Sequence, residues 1–218
     1  MRPRFRETRR GLTIVELLVV LTTIALFSAI IIARIVAPER GPPISLRCTR
    51  NQRQVAYASL IWMSDNLGRF PWQVSSAQGG SLEYTNEAPP HFQLLWKYDP
   101  VVLICPSETT RAPAKWRTQL SRTNLSYFIN LDVITNSPTT AFLSGDRHLA
   151  LNKKPVPSGS FLVRRGQAVS WTSELHNTML HNMGLVSFAD GHVELIRAGK
   201  LKDAVGRQPF GTNRLVVP

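Results

Sequence analysis

"GLTIVELLVVLTTIALFSAIIIA", residues 11–33, decides the architecture of this chain. From Leu12 to Ala33 the only charged residue is Glu16. A bilayer core about 30 Å thick needs about 20 helical residues, so this segment predicts a membrane-spanning helix. The rest of the 218 residues are more polar and rich in proline and glycine, which predicts a folded domain outside the membrane.

The residues before this helix predict its orientation. Five of the first ten residues are arginines, namely Arg2, Arg4, Arg6, Arg9 and Arg10. A basic flank stays in the cytoplasm. The carboxyl-terminal domain is therefore expected on the other side of the cytoplasmic membrane, which in a bacterium is the periplasm or the cell surface.

The order of the parts differs from that of a secretory signal. Such a signal is cut after its apolar core, at small residues. Here Pro38, Glu39 and Arg40 follow the apolar run, and Gly11 lies before it. Cleavage at Gly11 would remove the arginines and leave the hydrophobic helix on the mature protein.

Gly11, the run from Leu12 to Glu16 and the long apolar helix together resemble the prepilin cleavage and methylation segment of type IV pilins and type II secretion pseudopilins. The resemblance implies cleavage after Gly11 by a prepilin peptidase and methylation of the new amino terminus on Leu12. It also implies assembly with other pilin or pseudopilin subunits on an inner-membrane platform. Members of the family usually carry Phe where this chain has Leu12.

Glu16 has two interpretations. An ionised residue in a membrane segment indicates a function that involves a charged partner. The resemblance implies that, in a fibre, Glu16 of one subunit neutralises the amino terminus on Leu12 of its neighbour, so that neither charge is buried alone. Alternatively, Glu16 lies near the membrane edge and extends towards the headgroups.

The soluble part is predicted to be α+β, with a second helix packed on a small, mostly antiparallel sheet. The resemblance implies that this arrangement is pilin-like. Apolar spacing predicts this helix over residues 44–66, with Cys48, Val55, Ala58 and Trp62 on one face. Candidate strands are residues 101–105, 125–129, 141–143, 160–164 and 168–172, and residues 71–90 and 106–122 are predicted loops. The predicted divisions are a leader at 1–11, a transmembrane and assembly helix at 12–37, and a periplasmic domain at 38–218.

"GLVSFADGHVELIR", residues 184–197, predicts a β-hairpin with Asp190 and Gly191 in a two-residue type I′ turn. This region also resembles a subfamily of pseudopilin-like proteins, common in planctomycetes and verrucomicrobia, that carry a His, nine residues and then Asp-Gly. The quoted likeness includes "LRCTRNQRQVAYASLIWMSDNLGRFPW", "LICPSE", "SYFIN" and "FADGHVE". Only eight residues separate His181 from Asp190, and Gln52 stands where the subfamily usually shows Leu.

Catalytic and metal-binding constellations are weak in this sequence. Two serine-hydrolase triads can be drawn, Ser144 with Asp146 and His148, and Ser187 with His181 and Asp190, but no nucleophile-elbow motif surrounds either serine. His176, His181 and His192 could approach one another, yet no HExxH or paired-cysteine pattern is present. No enzyme activity, cofactor or metal site is predicted.

The formal net charge is +12, but the basic residues are scattered and show no aromatic stacking pattern, so nucleic acid is not an expected partner. The two cysteines, Cys48 and Cys105, both fall on the exported side, where disulfides persist. A Cys48–Cys105 disulfide is predicted, and the alternative is two buried thiols. The resemblance implies a pseudopilin-like subunit, the alternative being a membrane-anchored periplasmic binding module that does not polymerise.

Overall fold

The chain divides into two units, Met1–Gly41 and Pro42–Pro218. The structure is a computed structural model that describes residues 13–36, 44–96, 100–175 and 183–218. Helix α1 runs over Ile14–Val36, as the apolar stretch predicts, and its side chains from residue 14 to 32 are exposed. Ile14–Ile32 has a mean hydropathy of 2.6 and is long and apolar enough to cross a membrane.

The second unit is α+β and antiparallel throughout its described strands. Its helices are α2 (Ile44–Asp65), α3 (Ala88–Leu95) and α4 (Ala198–Gly206). Its strands are β1 (Tyr127–Asn130), β2 (Phe142–Asp146), β3 (Leu149–Leu151), β4 (Lys154–Pro155), β5 (Gly159–Arg164), β6 (Val169–Trp171), β7 (Met183–Phe188), β8 (Val193–Arg197) and β9 (Thr212–Val217). A six-stranded sheet has the order β5-β9-β1-β2-β7-β8, and a three-stranded sheet has the order β4-β3-β6.

The inner strands β1, β2 and β7 of the large sheet are buried on both faces, because side chains that alternate along a strand enter two different cores. Tyr127 and Ile129 of β1 enter the core beneath α2, whereas Phe128 between them enters the opposite core. Residues of the small sheet and of α4, such as Trp171 and Leu201, build that opposite core. The period of two follows from the pleat of a strand.

Helix α2 covers strands β2, β7 and β8 of the large sheet with one face. Its buried residues are Cys48, Gln52, Val55, Ala56, Ser59 and Trp62, which lie three or four positions apart except for the adjacent pair Val55 and Ala56. The predicted helix and most of its predicted face are confirmed, although Ala58 is only partly buried. The arginines at 47, 50 and 53 are exposed. One continuous face therefore carries the contact between α2 and the sheet.

Buried polar anchors hold the long segment between α2 and α3. The indole N–H of Trp72 donates to the Val133 carbonyl at 2.8 Å. His91 contacts the Ser81 hydroxyl at 2.7 Å through Nδ1 and the Tyr84 carbonyl at 2.9 Å through Nε2. Burial lowers the pKa of His91 to about 4, so the ring is neutral near pH 7, donates from Nε2 and accepts at Nδ1.

Three sequence predictions need correction. Residues 101–105 are not a strand, since Pro100–Leu103 is a 3-10 helix packed on α2, and a short apolar run does not distinguish these states. The predicted loop 71–90 contains 3-10 turns and the first turn of α3. The turn at Asp190 is not type I′, because Gly191 has a φ of +88° but Asp190 does not have positive φ. Elements α3, α4, β3, β4 and β9 were not predicted from the sequence.

Gln52 is the polar exception in the buried face of α2. Its side chain is fully buried, and Nε2 donates to the Ser187 hydroxyl of β7 at 3.1 Å. The carbonyl Oε1 has no hydrogen-bond partner among the described residues. Ser187 in turn donates to the Ser144 carbonyl at 3.2 Å, so its hydroxyl proton does not depend on Gln52. An unsatisfied buried acceptor costs about 1–3 kcal/mol.

We predict that Gln52→Leu raises the free energy of unfolding by about 1 kcal/mol, because it removes the unsatisfied acceptor and keeps the volume. Guanidinium unfolding of the full chain in detergent measures this. The control is Gln54→Leu, the same change at an exposed position of the same helix, with an expected effect within about 0.5 kcal/mol. A loss of stability for Gln52→Leu relative to this control would contradict the interpretation.

Candidate functional site

The start of α1 places Glu16 in a local hydrogen-bond pair with Thr13. The Thr13 backbone N–H and hydroxyl donate to Glu16 Oε2 at 2.8 Å and 2.9 Å. In return, the Glu16 backbone N–H donates to the Thr13 hydroxyl oxygen at 3.2 Å. This reciprocal arrangement is a capping box, in which Thr13 is the N-cap and Glu16 is the third helical residue.

The capping box gives Glu16 a role that the sequence reasoning missed. The signal was present, since Thr13-Ile14-Val15-Glu16 fits the pattern of Ser or Thr followed three residues later by Glu. Glu16 also lies in the first turn, where the helix dipole favours a negative charge. The predicted cleavage and methylation positions, Gly11 and Leu12, lie outside the described residues.

The two cysteines lie next to each other in the core, as a disulfide between them requires. Their sulfur atoms lie 3.2 Å apart. Both residues are fully buried, Cys48 on α2 and Cys105 just after the 3-10 helix Pro100–Leu103. No covalent S–S bond joins them in this structure. The neighbouring Cys48 thiol and burial both raise the pKa of Cys105 well above its usual range. Because the thiolate is the reactive form, oxidation is expected during folding, before the core closes.

The carboxyl-terminal hairpin is held against α2 by its turn. Gly191 donates its N–H to the Phe188 carbonyl at 2.9 Å, and Phe188 donates to the His192 carbonyl at 3.0 Å. A Cβ at Gly191 would lie 2.7 Å from the Tyr57 ring and 3.1 Å from Leu60, both on α2. The glycine is therefore required both by its positive φ and by this close approach.

Side chains around the turn form a small polar group. Asp190 Oδ1 accepts the His192 backbone N–H at 3.0 Å and lies 2.5 Å from His192 Nδ1. The His192 ring stacks on Phe188 with a centroid distance of 4.1 Å, and its Nε2 lies 3.5 Å from Glu194. Burial would raise the pKa of Asp190, but the hydrogen bonds and charge of His192 outweigh it and lower that pKa. His181, the first residue of the resembled pattern, lies outside the described residues.

The side chains of the first candidate serine-hydrolase triad, Ser144, Asp146 and His148, contact backbone groups. The Ser144 hydroxyl donates to the Phe128 carbonyl at 2.7 Å, Asp146 accepts the Leu185 N–H at 2.7 Å, and His148 Nε2 contacts the Met183 carbonyl at 3.1 Å. All three side chains are buried. These contacts tie β2 to its neighbours β1 and β7.

A charged network that the sequence did not indicate lies beside the cysteines. Arg147 bridges Glu108 at 3.1 Å and Glu174 at 2.8 Å. Burial alone would raise the pKa of Glu108, but hydrogen bonds from Thr110 and the charge of Arg147 lower it overall. The three residues are 27 or more positions apart, so no local pattern could reveal them. Among the described residues, no group of three His, Cys, Asp or Glu side chains could hold a metal ion.

Comparisons of this chain with models of protein families, with curated proteins and with solved structures find no match.

We predict that the protein purified from the oxidised compartment contains a Cys48–Cys105 disulfide, because the sulfurs are already in contact. Peptide mapping without reductant, after alkylation of any thiol, should recover the two cysteine peptides joined. The closed loop of about 57 residues would contribute about 4 kcal/mol in the chain-entropy picture. Cys48→Ser and Cys105→Ser should each remove this contribution, whereas recovery of two alkylated thiols from the native protein would contradict the prediction.

Proposed function

We propose that this chain is a pseudopilin-like structural subunit that is processed by a prepilin peptidase and assembles through α1 into a type II secretion or type IV pilus-like fibre. The observation that carries the proposal is the combination in α1 of an exposed apolar surface with a single carboxylate in its first turn. The α+β architecture of the second unit supports it, since α2 lies across an antiparallel sheet as the proposal expects.

The surface of α1 needs a non-aqueous environment. Isoleucine, leucine, valine and phenylalanine side chains from Ile14 to Ile32 are about half or more exposed. Contiguous apolar surface of this extent marks a membrane or a protein contact. In the proposal, α1 first lies in the inner membrane as a single-pass anchor with the second unit in the periplasm, and then packs against α1 of other subunits in the fibre core.

Glu16 retains an unused acceptor for a partner from another subunit. Both bonds from Thr13 end on Oε2, and Oε1 has no hydrogen-bond partner among the described residues. A carboxylate accepts about four hydrogen bonds, so the capping box leaves room for an ammonium donor. Cleavage after Gly11 would make Leu12 the amino terminus, directly before Thr13. The ammonium of one subunit and the carboxylate of its neighbour could then leave water as a neutral pair.

Thr13 and Glu16 together allow the capping role to be separated from the charge. Glutamine accepts the same capping-box hydrogen bond as glutamate but carries no charge. We predict that Glu16→Gln and Glu16→Ala both lower the ratio of sheared-fibre to membrane-pool subunit by about 100-fold, since removal of one partner leaves the other charge buried alone. Thr13→Ala keeps the charge, weakens the cap by about 1 kcal/mol and should lower the ratio by no more than about fivefold.

Membrane extraction and measurement of the mature mass provide the control, because all three variants should still be inserted and cleaved. Normal assembly of Glu16→Gln beside impaired assembly of Glu16→Ala would assign Glu16 to capping alone. An unchanged ratio in every variant would contradict assembly through Glu16. A processed wild-type protein that is never recovered in sheared fractions would instead favour the membrane-anchored binding module.

A further inference from the structure

Residues 112–124 form a loop on the second unit, here called the Trp116 loop, whose two ends are joined by hydrogen bonds. The Asn124 side-chain amide donates to the Ala112 carbonyl at 2.8 Å, and Arg111 donates to the Arg122 carbonyl at 2.6 Å. Ala114 and Leu120 are buried, so both ends of the tip are anchored in the protein. The five residues between them, Lys115–Gln119, are all exposed.

The tip of this loop combines one aromatic ring with two cations. Trp116 is 67% exposed, whereas the other four tryptophans are buried or half-buried. Lys115 and Arg117 flank it, and neither has an ion-pair partner among the described residues. No Asp or Glu occurs from residue 109 to residue 131. The tip therefore presents an exposed indole between two cations that have no ion-pair partner among the described residues.

We propose that the Trp116 loop docks on an anionic lipid surface and holds the second unit against the membrane. Indole rings favour the headgroup region of a bilayer, and basic side chains beside them are attracted to anionic lipid. The choice of this partner rests on the insertion of α1 in the membrane proposed above. It does not depend on fibre assembly.

The chain between α1 and α2 is short enough for the Trp116 loop to reach the membrane surface. Seven residues separate the end of α1 at Val36 from the start of α2 at Ile44, and a chain of that length spans at most about 30 Å. A unit of this size has a radius of gyration of about 16 Å, so a loop on its surface can reach the headgroups. Nucleic acid suits the site less well, because binders of single strands align several stacking aromatics along a groove, and this tip offers one.

The test places the full-length protein in lipid nanodiscs and follows the fluorescence of Trp116. Subtraction of the Trp116→Phe spectrum isolates this residue from the four less exposed tryptophans. We expect lipid brominated near the headgroup to quench the Trp116 signal, and acrylamide to lose access to it, in discs with about one third phosphatidylglycerol. In discs of phosphatidylcholine alone the signal should remain open to acrylamide.

Matched charge variants test the electrostatic part. Lys115→Gln/Arg117→Gln should weaken the docking equilibrium by about 30-fold, since each basic residue contributes about a factor of five near an anionic surface. Arg50→Gln/Arg53→Gln removes the same charge from the exposed face of α2 and should leave docking unchanged. Thermal unfolding should be the same for all variants, because the replaced side chains are exposed.

Three results would overturn the proposal: equal acrylamide access in both kinds of disc, equal quenching in both, or an equal loss in the two charge variants. Quenching of Trp116 by single-stranded DNA in phosphatidylcholine discs, without quenching by anionic lipid, would assign the loop to nucleic acid instead. Fibre-defective Glu16→Gln protein in the same discs should dock normally. Failure of assembly and failure of docking are therefore separate outcomes.

Discussion

The second unit depends on the packing of one face of α2 against strands β2, β7 and β8 of the six-stranded sheet. This face holds Cys48 at one end and Trp62 at the other, and the sheet presents Tyr127, Ile129 and Leu185 to the same core. The helix also limits its neighbours, because Tyr57 and Leu60 leave room only for a glycine at the turn of the β7–β8 hairpin. The amino-terminal end of the unit is thus linked to its carboxyl-terminal hairpin.

The first unit is governed by a different constraint, the exposed apolar surface of α1. A helix of this composition is stable in lipid or against other apolar helices, and Glu16 is compatible with both because Thr13 donates two hydrogen bonds to its Oε2. In the proposed function, the same carboxylate caps the start of the helix in the membrane-inserted subunit and, in the fibre, also binds a neighbour's ammonium.

Elements with a strong local pattern could be predicted from the sequence, and those that depend on distant partners could not. The apolar run of α1, the buried face of α2 and the hairpin around Gly191 follow from periodicity and from one turn residue. Residues 101–105 were assigned wrongly because an apolar run after a proline serves equally as a strand or as a tight helix against α2. Strand β9 pairs with β1 and β5, and its place in the sheet is set by those strands.

The residues of the candidate site show the same difference between local sequence patterns and distant partners. The proximity of Cys48 and Cys105 was predictable because each had a recognisable apolar context, even though Cys105 does not lie on a strand. The bridge from Arg147 to Glu108 and Glu174 joins three separate segments and has no local signature. The Thr13–Glu16 capping box could be recognised from four residues, but the charge in an apolar segment directed the interpretation to a partner subunit or to the lipid headgroups.

The most direct test of the central claim is the mass and amino-terminal sequence of the mature protein extracted from membranes. We expect a mature chain that begins at Leu12 with an N-methyl group and retains the whole of α1. An intact Met1, or a mature terminus near residue 38 that lacks α1, would contradict it.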